Sequence, residues 1–187
     1  MISSISDDAD LLAAFADKRS KNKAFECILD KYQKRLYWHV RRILIDHDDA
    51  DDAVQNTFIK VWEQLDSYRG DSKLYTWLYR VATNEALQLL KKKKVDRNVS
   101  MDDEQNSFLT EALESGQYFD GNKLELKLQS AILTLPEKQR IVFNLKYYEN
   151  MKYEEMSQVL DTSVGALKAS YFHAVKKIEH FFEKELN

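Results

Sequence analysis

One proline and four glycines in 187 residues leave this chain almost nothing with which to break a helix. Proline removes a backbone donor, and glycine costs about 1 kcal/mol in a helix interior. Their scarcity therefore constrains the fold more than any single motif does. Charged residues at 32 % and many Leu, Lys, Glu and Ala complete an all-α composition. Hydrophobic residues reach 44 %, enough for real cores. The length accommodates one medium domain or two small ones. No repeat of roughly twenty to fifty residues recurs, which excludes a solenoid.

The longest apolar runs span only a few residues, far short of the ~20 needed to cross a bilayer. The opening residues, Met1 to Phe15, are acidic and lack the basic start and apolar stretch of a signal peptide. A lone cysteine, Cys27, cannot form an internal disulfide. Membrane insertion is not expected, and the expected location is cytoplasmic.

Periodicity places the elements. Phe25, Ile28, Leu29, Tyr32, Leu36, Val40 and Ile43 recur at helical spacing from about Lys23 to Leu44. After Asp48-Asp49, whose carboxylates suit a helix N-terminus, the next helix has an inner stripe of Ala50, Ala53, Val54, Thr57, Phe58, Val61 and Leu65. Its outer face carries Asp52, Gln55, Asn56, Ile59 and Glu63. A compact turn, Ser67 to Ser72, leads to a third helix from about Lys73 to Lys93, with Asp71 or Ser72 as its cap. Leu74, Trp77, Leu78 and Val81 form its inner stripe, and Tyr75, Tyr79 and Thr83 point the other way.

Residues 95–127 are acidic and polar and hold two of the glycines, which reads as a flexible linker with a short helix near Phe108–Leu113. Order resumes near Leu128. Thr134-Leu135-Pro136-Glu137 reads as a capping box with proline in the first turn. A helix follows to about Tyr148, then a short one from Lys152 to Leu160. After a turn and cap at Asp161-Thr162-Ser163, a last helix runs from about Val164 to Glu183. Two helices joined by a tight polar turn, the second longer and lysine-bearing, form the pattern of a helix-turn-helix.

The net charge of −3 is unusual for a free-standing DNA binder, but the total conceals a division. Residues 60–94 hold eight Lys and Arg against four Asp and Glu; residues 95–130 hold three against eight. A basic segment thus adjoins an acidic one. An acidic linker fits two readings equally: occupancy of a basic nucleic-acid channel before nucleic acid arrives, or a solubilising spacer.

Three motifs, in order, carry a resemblance to a known family. The run from Asp49 to Trp62 resembles the polymerase-docking helix of extracytoplasmic-function (ECF) sigma factors of the sigma-70 family. Tyr68-Arg69-Gly70-Asp71-Ser72 and the run from Tyr75 to Asn84 resemble that family's promoter-melting and minus-ten-reading segment. Leu135-Pro136-Glu137-Lys138-Gln139-Arg140, Tyr153-Glu154-Glu155-Met156 and Ser163-Val164-Gly165-Ala166-Leu167-Lys168 resemble its minus-thirty-five helix-turn-helix. The sequence departs from the family in the last helix, where Ser170, His173 and Val175 stand at the usual arginines. That weakens the expected phosphate grip and leaves the promoter sequence open.

The resemblance implies two small helical domains. Residues 8–95 would dock on polymerase and melt and read the minus-ten element, 96–127 would be the linker, and 128–187 would read the minus-thirty-five element. The implied function is promoter-specific transcription initiation. The implied partners are core RNA polymerase, through its β′ clamp and β flap, promoter DNA, and an anti-sigma factor. No enzyme activity, cofactor, metal site or catalytic residue is expected; His39, His47, His173, His180 and Cys27 show no metal-ligand spacing.

The residue chemistry fits these roles. Lys168, Ala169, Phe172, His173 and Lys176 would face the major groove, where small residues allow close approach, Phe172 meets a thymine methyl and Lys168 a guanine edge or phosphate. Tyr68, Arg69, Lys73, Tyr75, Tyr79, Arg80 and Asn84 would serve the strand-separated minus-ten element. Base–aromatic stacking is worth ~1–3 kcal/mol per base, against ~0.6–2.2 kcal/mol to open each duplex step. Asn84 falls near the Trp77/Val81 stripe and is expected partly inward. Lys91–Lys94 would track phosphates. Asp52, Gln55, Asn56 and Ile59 would meet polymerase, since aspartates repel DNA. Two rival readings stay open on residues alone: a dimeric regulator using the helix-turn-helix on duplex DNA, and a helical scaffold with no DNA role.

Overall fold

The computed structural model describes residues 7–96, Leu113 and residues 123–185. Every regular element among them is helical, as the shortage of helix breakers requires. The N-terminal module consists of α1 (Asp8–Ala16), α2 (Lys21–Leu44), α3 (His47–Gln64) and α4 (Leu74–Asp96), with a 3-10 turn over Leu65–Ser67. The C-terminal module consists of α5 (Lys123–Leu133), α6 (Glu137–Tyr147), α7 (Tyr153–Leu160) and α8 (Val164–Glu185).

The sequence patterns account for most of this. All seven residues of the predicted α3 stripe are buried, while Asp52, Gln55, Asn56, Ile59 and Glu63 are exposed. Asp46 caps α3, its carboxylate accepting the Asp49 N–H at 3.0 Å. The helix therefore starts at His47, three residues before a start after the Asp48-Asp49 pair. The α7–α8 turn has left-handed backbone at Asp161 (φ 49°), and Ser163 Oγ accepts the Ala166 N–H at 3.3 Å. Such a cap satisfies one of the orphan donors at a helix start.

Four expectations need correction. A helix before α2 was not anticipated, yet α1 packs on α2 and buries Leu11 and Phe15. Asp7, which accepts the Ala9 N–H, and apolar positions four residues apart were its only signals. Order in the C-terminal module begins at Lys123 rather than near Leu128. Thr134 forms no capping box: its hydroxyl donates to the Ala131 carbonyl, and Pro136 stands at the N-cap of α6. The helix start comes after the proline, so Glu137 occupies the first turn rather than its end. Finally, α4 has Lys73 at its N-cap position, its carbonyl accepting the Trp77 N–H at 3.1 Å, rather than Asp71 or Ser72. Most of the expected linker lies outside the described residues. Of its predicted short helix only Leu113 is described, helical and buried.

One cluster of buried side chains runs through α1–α4 and continues into Ile141, Val142 and Leu145 of α6 and Met156 and Val159 of α7. A smaller one joins Ala131, Ile132, Leu135, Phe143, Ala174 and Ile178 of α5, α6 and α8. The two modules are thus in apolar contact, with α4 against α7 and α2 against α6.

Candidate nucleic-acid interface and docking face

The helix-turn-helix presents its second helix as predicted. Leu167, Ala174 and Ile178 of α8 are buried and Tyr171 and Val175 half-buried, which fixes the helix by its inner stripe. Lys168, Ala169, Phe172, His173 and Lys176 then share the exposed side. Phe172 is 58 % exposed, and its ring meets that of His173 edge-on, centroids 5.7 Å apart. The Lys168 ammonium lies 5.7 Å over the Tyr153 ring, so the first helix of the motif steadies the lysine of the second. Lys176 is paired with Glu179 at 2.7 Å, which raises its pKa.

The docking face is wider than α3 alone. A groove of roughly 410 Å³ lies between α2 and α3, lined by Phe25, Leu29, Gln33, Val54, Gln55, Phe58, Ile59 and Trp62. Ile59 is 56 % exposed at its rim. The Trp62 indole packs edge-on against Phe15 and Phe25 at 5.4 and 5.0 Å, which holds that wall rigid. Gln55 and Ile59 line this groove; Asp52 and Asn56 are exposed on the same helix. The docking set expected from sequence left out Phe25 and Leu29, half-buried residues of the α2 stripe that read as core, and Trp62, which ends the docking motif and is exposed.

The turn before α4 is built by Gly70 at φ 76°, a left-handed conformation that glycine adopts at no steric cost. The Tyr68 hydroxyl donates to the Ser72 carbonyl across it, and its ring sits 5.4 Å from that of Trp77. Arg69, Lys73 and Arg80 are exposed and Tyr68 is half-buried.

On α4 itself the expected orientation does not hold. Tyr79 is 1 % exposed and donates its hydroxyl to Glu149 of the C-terminal module. Burial, reinforced by the Glu149 charge, raises its pKa well above the ordinary tyrosine value. Tyr75 is half-buried, its pKa pushed up to about 12 by burial and by its hydrogen bond with Glu155. Thr83 is buried, its Oγ1 2.8 Å from His39 Nε2. Asn84, expected partly inward, is exposed. The physical reason is that α4 lies between two bodies: Thr83 is buried against His39 of α2, while Tyr79 and Tyr75 reach Glu149 and Glu155 of the C-terminal module. A helix packed on two sides has no single inner stripe.

The lysine run is also partly engaged. Lys93 pairs with Asp49, and Lys94, nearly buried, pairs with Glu137 at 3.0 Å. Lys91 and Lys92 remain exposed.

Comparison with known proteins gives a consistent result. Residues 28–95 match the family model for sigma-70 region 2, and residues 125–178 that for sigma-70 region 4. The chain is 30 % identical over 169 residues to the RNA polymerase sigma-H factor of Pseudomonas aeruginosa, covering 87 % of this chain and 88 % of that one. It is 31 % identical over 170 residues to the ECF RNA polymerase sigma-E factor of Escherichia coli K12, with the same coverage. Among solved structures, CnrH in complex with the cytosolic domain of CnrY superposes with a TM-score of 0.69 at 23 % identity, covering 95 % of this chain and 97 % of that one. The sigma factor RpoE of Bartonella quintana, bound to the anti-sigma factor NepR, superposes at 0.66 with 21 % identity over 86 % and 98 %.

Proposed function

This chain belongs to the sigma-70 family as an ECF-type sigma factor directing promoter-specific transcription initiation, and from that premise we propose how its residues divide the work. The N-terminal module, 8–95, docks on core polymerase through the α2–α3 groove, with Asp52, Gln55, Asn56 and Ile59 as its α3 contribution. Tyr68, Arg69, Lys73, Tyr75, Tyr79, Arg80 and Asn84 receive the opened minus-ten strand, by stacking and by phosphate contacts. The C-terminal module, spanning α5–α8, reads the minus-thirty-five element with Lys168, Ala169, Phe172, His173 and Lys176 in the major groove. The chain supplies recognition, and the polymerase supplies the chemistry.

The observation that carries this reading is the separation of exposed surfaces by chemistry. An apolar groove rimmed by amides and carboxylates suits a protein partner, while α8 presents lysines, an aromatic and small residues together. With Ser170 and Val175 offering no positive charge beside them, that helix holds DNA weakly by itself, so promoter binding depends on polymerase. No described helix is long and apolar enough to cross a membrane, in keeping with work in the cytoplasm alongside the polymerase.

Run-off transcription with purified core polymerase tests the proposal. Promoter-dependent transcript should appear only when the chain is added, and a gel shift without polymerase should show weak binding. Tight specific binding by the isolated protein, with no transcript on reconstitution, would favour a stand-alone regulator.

A further inference from the structure

Helix α1 and the first two turns of α2 stand outside the segment that matches region 2, which begins at residue 28. Their anchors are nonetheless specific. The Asp8 carboxylate accepts the Tyr32 hydroxyl at 2.7 Å and the Lys31 ammonium at 2.8 Å, which fastens the start of α1 to α2. After the end of α1, the Ser20 hydroxyl donates back to the Ala14 carbonyl at 2.7 Å. So held, α1 delivers one large ring, Phe15, only 2 % exposed, to the back of the Trp62 indole.

The Phe15 and Phe25 rings that flank Trp62 also lie 6.2 Å from each other, so the three aromatics form one closed cluster. A cation completes it. The Lys21 ammonium stands 4.6 Å from the Phe15 centroid and 5.1 Å from the Trp62 centroid. Both distances fall inside the ~6 Å over which a ring attracts a cation. Asp66, in the 3-10 turn after α3, pairs with the same ammonium and fixes it from the far side. The Lys21 side chain is 25 % exposed, and partial desolvation strengthens the attraction. Trp62 belongs to α3, yet much of what sets its angle comes from Phe15 and Lys21, neither of which lines the groove.

We propose that Phe15 and Lys21 are positioning residues for polymerase docking: from α1 and the start of α2 they preset the Trp62 indole in the groove wall. This rests on the assignment of the groove to polymerase made above. Immobilising a free side chain at an interface opposes binding, and an indole already held by two rings and a cation has lost that freedom beforehand. Ile59, 56 % exposed at the rim, has no such cage around it, so Trp62 is the rigid half of the face. Helix α1 thereby serves docking without touching the partner.

The test uses the full chain labelled with 5-fluorotryptophan, whose three indoles give three fluorine resonances. Trp62→Phe assigns the relevant one by its loss. Lys21→Met removes the cation and keeps an apolar stem. Phe15→Leu removes the ring edge and keeps an apolar side chain. Each should move the Trp62 resonance, leave those of Trp38 and Trp77 in place, and weaken binding to core polymerase about fivefold. Lys21→Arg keeps a cation over both rings and a partner for Asp66, and should return both readouts to within about twofold of wild type. Lys60→Met serves as control: it removes an ion pair to Glu85 on the α4 side of α3 and should change neither the Trp62 resonance nor the affinity. Unchanged affinity in both Lys21→Met and Phe15→Leu would overturn the proposal. So would a Trp62 resonance that stays in place, or a Lys21→Arg chain as weak as Lys21→Met. Ile59→Asp with Gln55→Ala separates the two levels. If that pair weakens docking while the cage variants do not, the positioning role alone is rejected. If it leaves docking intact, the groove assignment falls and the positioning role with it.

Discussion

Helices α3 and α4 lie side by side in one module, yet the structure treats their outward sides oppositely. The outer face of α3 is open: Asp52, Gln55, Asn56 and Ile59 meet solvent beside an unfilled groove. The corresponding side of α4 is covered in part: Tyr79 is buried with its hydroxyl on Glu149 of the C-terminal module, and Tyr75 is half-buried beside Glu155. The face proposed for the protein partner is ready in the free chain, and the face proposed for the DNA strand is not.

The comparison can be broken at its open side first. Ile59→Asp with Gln55→Ala places a charge at the groove rim. It should cost about 2 kcal/mol or more in affinity for core polymerase, roughly thirtyfold. Unfolding should change by less than about 0.5 kcal/mol, because both residues are exposed. Unchanged polymerase affinity would mean that the groove is not the docking face.

On the covered side, His39 of α2 is buried against Thr83 and beside the Tyr79 ring at 4.9 Å. Burial, with a smaller effect from Arg42, lowers its pKa from 6.5 to about 3. A base depressed in the folded state stabilises the fold fully above its unfolded pKa, and that stability drains away as pH falls from about 6.5 toward 3. Between pH 6.5 and 5 the loss should approach roughly 2 kcal/mol. His39→Gln should flatten that part of the profile in urea unfolding. An identical pH slope in the variant would show that carboxylates, not His39, carry it.

The smallest effect belongs to the rim of the contact. Lys73 is largely exposed, and its bridge to Glu155 is open to solvent. Lys73→Met should therefore lower the unfolding free energy measured in urea by less than about 1 kcal/mol. A larger loss would mean that the bridge is more enclosed than its exposure indicates.

How much of this was legible beforehand depended on how many partners a helix has. Helix α3 packs on one side, and its 3.6-residue period separated stripe from face without error, Ala50 through Leu65 inside and Asp52 through Glu63 outside. The outer side of α8 emerged equally well from Leu167, Ala174 and Ile178. Helix α4 defeated the same method because Thr83 answers to His39 of its own module and Tyr79 to Glu149 of the other. Glu149 left no trace in the sequence: it lies in a short turn, and its partners Tyr79 and Arg42 are 70 and 107 positions away. Local patterns carry no information about contacts at that separation. Helix α1 went unread because nine residues with two core positions fall below what periodicity resolves.

Covalent labelling of aromatic side chains, read residue by residue in the free chain and in the holoenzyme before DNA is added, tests the contrast between the two faces most directly. Trp62 in the groove should be reactive in the free chain and protected in the holoenzyme, and Tyr79 should change in the opposite sense. Equal reactivity of Tyr79 in both states, or a Trp62 indifferent to polymerase, would contradict the account.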